Sequence, residues 1–251
     1  MHSTLFATWD IRLVAVSIAI AICASYAALD LVERITLAGS SSRIGWLSGG
    51  AIAMGTGIWS MHFTGMLAYH LPVEVYYHVP TVVLSLVLAI VASFIALHVV
   101  SRPKIGMLHV LAGSVLIAAG ICGMHYTGMA AMRLPAMHHW DLTFVLLSII
   151  VAQVVALAAL GLASLFRTGK RDNGLKIICA TIMGFAVCSM HYTAMAAVSF
   201  RAMAETPDRT NAMSIDAVAN TAIVAVTFVV LGSVFLFQRL FPAQEPARSE
   251  A

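Results

Sequence analysis

Charge is what this sequence most conspicuously lacks. Only 10% of its 251 residues are Asp, Glu, Lys or Arg, against 61% hydrophobic, where a soluble domain carries about 25% charged residues. That shortage excludes water as the solvent for most of the surface, and apolar stretches recur along nearly the whole chain. The formal net charge of +3 is small and its basic residues are scattered, which excludes a nucleic-acid footprint. Cysteine is scarce as well. Cys23, Cys122, Cys179 and Cys188 all fall inside apolar stretches; the absence of CxxC pairs and of loop cysteines argues against a disulfide framework, and the absence of CxxCH disfavours an attached haem. Residues 1–12 have no Lys/Arg-rich run and contain Asp10, so the first apolar segment reads as a retained helix rather than a cleavable signal peptide.

What is present is a series of bilayer-length segments. A transmembrane helix needs about 20 mostly apolar residues, and seven segments qualify, at 13–33, 44–68, 79–100, 106–132, 142–166, 175–198 and 217–238. Short connections place consecutive helices side by side and antiparallel. The expectation is an all-α membrane protein, a seven-helix bundle over 1–240 with a short cytoplasmic tail at 241–251. Lys and Arg set its orientation, because short cytoplasmic loops are enriched in them. Ten fall in the loops after helices one, three and five and in the tail, against four on the opposite side. The N-terminus is therefore expected outside and the C-terminus in the cytoplasm.

The chain also repeats itself. Met61-His62-Phe63-Thr64-Gly65-Met66, Met124-His125-Tyr126-Thr127-Gly128-Met129 and Met190-His191-Tyr192-Thr193-Ala194-Met195 align without gaps. Their spacing equals two helices plus two loops, so the bundle reads as three two-helix repeats plus a seventh helix. Each motif falls in the last turns of an even-numbered helix, at one membrane depth near the outer face. Within a motif the His and the second Met are four residues apart on one helix face, and the first Met lies about 100° around.

Imidazole and thioether suit copper, and methionine sulfur favours Cu(I). A copper site is therefore expected from His62, His125 and His191 with Met61, Met66, Met124, Met129, Met190 and Met195, rimmed by His70, His78, Met132, Met137, His138 and His139. Cys122 and Cys188, three residues before their histidines, are optional thiolates; Trp59 holds that place in the first repeat. Against this stands a packing reading, in which the histidines bond helix to helix, Gly65, Gly128 and Ala194 allow close approach, and methionine fills gaps. Recurrence of ionisable groups inside the membrane favours a functional site.

Met-His-Tyr-Thr on alternate helices resembles the MHYT family of bacterial membrane sensors, with residues 124–127 and 190–193 carrying the motif in full, 61–64 differing at Phe63, and Ser25-Tyr26-Ala27-Ala28-Leu29 resembling its N-terminal signature. The resemblance implies a bacterial inner-membrane sensor of a diatomic gas (oxygen, carbon monoxide or nitric oxide) through copper, and not an enzyme. A tyrosine role transfers only to Tyr126 and Tyr192. Many relatives fuse this module to cytoplasmic domains that make or degrade cyclic-di-GMP; here output is expected through a separate partner at the cytoplasmic face, with the basic segment 167–176 as its secondary docking surface. The alternative is a copper-uptake protein without a signalling role. Asp30 and Glu33 read as interface ion-pairing groups, with Glu33 expected on Arg34, and Gln153 and Asn220 as interhelical glue.

Overall fold

The computed structural model describes residues 4–38, 40–102, 106–167, 173–204 and 206–225. Six long helices, α1 (Ile11–Leu37), α2 (Ser40–Ala68), α3 (Val79–Val100), α4 (Met107–Ala130), α5 (Leu142–Ser164) and α6 (Asn173–Ala196), are followed by α7, described over Ile215–Ala225. The remainder of the seventh expected helix and the 241–251 tail lie outside the described residues. Five of the long helices are long and apolar enough to cross a bilayer. The least apolar of the six, α2, lies against both α1 and α3. Its glycines explain how: a Cβ on Gly55 would stand 2.6 Å from the Ile90 Cα of α3, and one on Gly57 would stand 2.5 Å from the Ala24 Cβ of α1. Small residues let backbones meet where lipid offers no hydrophobic drive between helices.

Each helix contacts the next, and α6 closes back on α1, so α1 to α6 form a ring. Helix α7 stands against α2, where Ser60 donates to the Ala222 carbonyl at 2.8 Å. The outer face of the ring is apolar. Val83, Leu84, Val87 and Val91 on α3 are exposed, as are Leu146, Ile149, Ile150 and Val154 on α5, at the spacing of one helical face. These are lipid-facing surfaces of a multi-pass membrane protein.

The connections at the motif end are more than plain loops. With the segment before α1, they form eight short strands among the described residues: β1 (Thr4–Leu5), β2 (Thr8–Trp9), β3 (Tyr69–His70), β4 (Tyr76–His78), β5 (Met132–Arg133), β6 (Ala136–Trp140), β7 (Val198–Ala202) and β8 (Ala212–Ser214). These pair as β1-β7-β6, β2-β3 and β5-β4-β8. Hydropathy gives little warning of strands this short. Together they make a cap over the C-terminal ends of α2, α4 and α6, with Phe200 and Tyr77 buried inside it.

The cap is fastened by one junction used three times. Asp10, His78 and Asp141, the residues before α1, α3 and α5, donate their backbone N–H to the carbonyls of Ala68, Ala131 and Ala197 at 2.8–2.9 Å. Each acceptor lies six residues after a motif histidine. The repeat thus fixes where each even helix ends and where its neighbour begins.

At the opposite end, charges are paired inside the bundle. Lys176 of α6 is buried, 3.0 Å from Asp30 and 3.8 Å from Glu33 of α1, while Arg34 reaches Asp30 at 2.6 Å. Pairing of Asp30 agrees with the sequence reading. Asp30, rather than Glu33, is the carboxylate on Arg34 at this distance, because Asp30 lies one helical turn before it. Within the expected docking segment, Lys176 faces into the α1–α6 seam rather than outward, because a cation this deep requires a counter-charge, and Arg167 donates to the Arg102 carbonyl. Lys170 and Arg171 lie outside the described residues. Gln153 of α5 donates to Ser114 of α4 at 2.7 Å, the interhelical role expected of it, whereas Asn220 is exposed.

Candidate metal centre

The three motif histidines meet on the axis of the ring. His62 Nδ1 lies 3.1 Å from His191 Nδ1, His125 Nδ1 lies 3.2 Å from His62 Nδ1, and His191 Nδ1 lies 3.2 Å from His125 Nδ1. Their exposures are 0%, 0% and 1%, and the rings stand edge to face at 4.9–5.2 Å. Among the described residues no Asp, Glu or Cys joins this group.

Such a triangle does not satisfy itself. A neutral imidazole nitrogen either carries a proton or offers a lone pair, so around three mutually facing Nδ1 atoms at most two contacts become hydrogen bonds. All three Nε2 atoms are buried without a partner, and an unpaired buried polar group costs about 1–3 kcal/mol. A cation accepting three Nδ1 lone pairs resolves the inner conflict. The centre of the triangle lies about 1.8 Å from each nitrogen, and metal–imidazole bonds are about 2.0 Å, so an ion fits about 0.8 Å off the plane. The donor set therefore fits a metal.

Glycine makes the approach possible. A Cβ on Gly65 would stand 2.5 Å from His191 Nε2, and one on Gly128 would collide with His62 Nε2. His191 and His62 are thus each backed by the glycine of another motif.

The remaining expected ligands divide by their angle on the helix. Met66, Met129 and Met195, one turn beyond the histidines, pack together in the core under the cap and are 2%, 0% and 2% exposed. Met61, Met124 and Met190 are equally buried but fall in three separate clusters. Cys122 and Cys188 sit about 60° off the histidine direction, in different clusters and outside the trio; on this geometry they pack, and the optional thiolate role lapses. Of the expected rim, Met132 is buried, His78 and His138 are half-buried, and His70, Met137 and His139 are exposed on the cap. His138 stacks on Trp140 at 6.1 Å. Burial, then Arg133, hold its pKa below the usual imidazole value.

Tyr126 and Tyr192 stand edge to face with His125 and His191, ring centroids 5.0 and 4.8 Å apart, but their hydroxyls turn outward. Tyr126 meets Ser148 and Tyr192 meets Ser17, each at 2.7 Å. Both serines donate to the carbonyl three residues back, so the tyrosine hydroxyl is the donor. Ser85 occupies the same place on α3, and there Trp59 Nε1 donates to it at 3.1 Å. Repeat one therefore exchanges the Cys/Tyr pair for Trp/Phe without losing the bond. Sequence reasoning missed Ser17, Ser85 and Ser148; the available signal was that each lies seven residues after the start of an odd helix junction.

The fold and buried centre define a membrane-embedded helical domain built around three histidines. Family comparison makes this specific: the MHYT family, described as a bacterial signalling protein N terminal repeat, matches residues 55–113, 119–173 and 184–247, and the chain belongs to that family. It is 43% identical over 197 residues to the bifunctional diguanylate cyclase/cyclic di-GMP phosphodiesterase MucR of Pseudomonas aeruginosa, covering 78% of this chain and 29% of that protein. It is 38% identical over 203 residues to the cyclic di-GMP phosphodiesterase NbdA of the same organism, covering 80% and 26%. It is 34% identical over 197 residues to the signaling protein YkoW of Bacillus subtilis, covering 77% and 24%. The chain thus spans under a third of the length of these relatives. No solved structure matches.

Proposed function

We propose that this domain is a bacterial inner-membrane sensor in which His62, His125 and His191, with the motif methionines, hold copper as Cu(I) near the outer face and respond to a diatomic gas or to redox state. The observation that carries this reading is the triangle of Nδ1 atoms, a set of donors that a cation completes. Thioethers one turn toward the cap favour the soft Cu(I) state. Bound copper supplies a centre for gas coordination or a one-electron change; the chain's own residues hold the three imidazoles at one depth, exclude water with the cap, and join the centre to α1 through Tyr192 and Ser17. Full burial favours a resident centre over a transfer site, so sensing is preferred to copper uptake.

The ten-to-four basic asymmetry supports an N-terminus outside and a C-terminus in the cytoplasm. Output then passes to a separate signalling protein or domain at the cytoplasmic face. The charged seam of Asp30, Glu33 and Lys176 joins α1 to α6, the helix of His191, at that face. Metal analysis of protein purified under anaerobic conditions tests the centre. Copper co-purifies with the wild type, falls in each single His→Ala variant, and is lost from the triple variant. Equal copper in the triple variant overturns the proposal.

A further inference from the structure

The axis of the ring continues below the histidines as a series of layers set by the helical period. One turn before them stand Ile58, Ile121 and Val187, and one turn further Met54, Ile117 and Met183. All six line an apolar cavity of about 50 Å³. Alanines of α1 and α5, among them Ala28 and Ala156, complete the wall, and Ser25 is its one hydroxyl among the described residues. The upper end of the cavity thus lies one helical turn beneath the Nδ1 triangle.

Its chemistry decides what it holds. A buried water needs two to four polar partners, which this wall does not offer, so the chamber is dry. Dry apolar cavities take up uncharged apolar guests, and one of about 150 Å³ accepts benzene. A third of that volume corresponds to about two heavy atoms on the same scale. Quinones and aromatic effectors are too large; ions and hydrated solutes are excluded by the lack of polar partners.

We propose that this chamber is a binding site for a small uncharged apolar molecule of diatomic size, which it holds on the axis one helical turn beneath the histidine triangle. The ligand's signalling role rests on the gas-sensing reading above, whereas occupancy of the chamber does not require a metal. The three histidines are buried beneath the cap, and the surrounding bilayer is the phase in which apolar gases dissolve. The chamber thus places a guest next to the centre without passing it through the cap.

Xenon is the probe. Crystals of the full chain pressurised with xenon are expected to show an anomalous peak between the Ile121 and Ala156 walls. Ala156→Leu, which fills the chamber, abolishes that peak with the helices unmoved; Ala28→Val serves the same purpose if the leucine variant fails to fold. A chamber that stays empty while other sites in the same crystal fill, or that holds ordered water, overturns the proposal. A xenon peak in protein whose histidines bind no metal sustains the chamber and removes the copper reading. Bound copper without a peak does the reverse.

Discussion

Gly65→Ala tests the centre by the smallest possible change. The added methyl would stand 2.5 Å from His191 Nε2, 3.1 Å from Cδ2 and 3.3 Å from Cε1. Ordinary contact begins near 3.4 Å, so the imidazole or α2 must yield by about 0.9 Å against van der Waals repulsion. His191 is enclosed by His62, His125 and Tyr192, and its ring cannot retreat without opening the Nδ1 triangle. Overpacking of this kind costs about 1–3 kcal/mol, partly offset by about 1 kcal/mol from replacing glycine within a helix. Net stability should therefore fall by about 0–2 kcal/mol. Metal affinity should not escape, because disturbing the groups that orient a ligand costs about 10–100-fold. Copper competition against a chelator of known affinity, beside thermal unfolding in the same detergent, separates the two quantities. Gly128→Ala, which strikes His62, should match it, and Ala194→Gly should leave affinity within a few-fold. Undiminished copper affinity in both glycine variants would refute the argument that these glycines set the histidine geometry.

The exchange of Tyr and Cys for Phe and Trp in repeat one predicts a coupled pair. Phe63→Tyr alone buries a phenol beside a serine already engaged by Trp59, at about 1–3 kcal/mol, and Trp59→Cys added to it should recover part of that loss; a thermal double-mutant cycle with no coupling would separate the two positions. His138 in the cap predicts a pH response. Its folded pKa lies below the unfolded value, so the stability of its neutral form is full above about pH 6.5 and is lost as pH falls through the lower folded value. Fluorescence of the stacked Trp140 should report loosening on acidification in the wild type, and His138→Phe should flatten that profile.

The solvent, the number of helices and the repeat were legible in residue order, because each follows from local counts: apolar length for a helix, basic residues for an expected side, and a fixed spacing for His62, His125 and His191. Even the Cys-to-Trp and Tyr-to-Phe departures of repeat one were visible as letters. Their meaning was not. That Trp59 replaces a tyrosine hydroxyl on Ser85 depends on two side chains from different positions reaching one acceptor across a helix interface. The cap escaped notice because strands of two to five residues carry no periodicity to read, and they exist only where three helix ends bring their connections together. Ring closure of α6 onto α1 decided the rest. It turned three histidines of equal depth into a triangle with no complete hydrogen-bond solution, moved the motif cysteines off its axis, set Lys176 against Asp30, and enclosed the dry chamber beneath. Sequence determined which residues share a depth and a helix face; only the tertiary structure decided which faces turn toward one another.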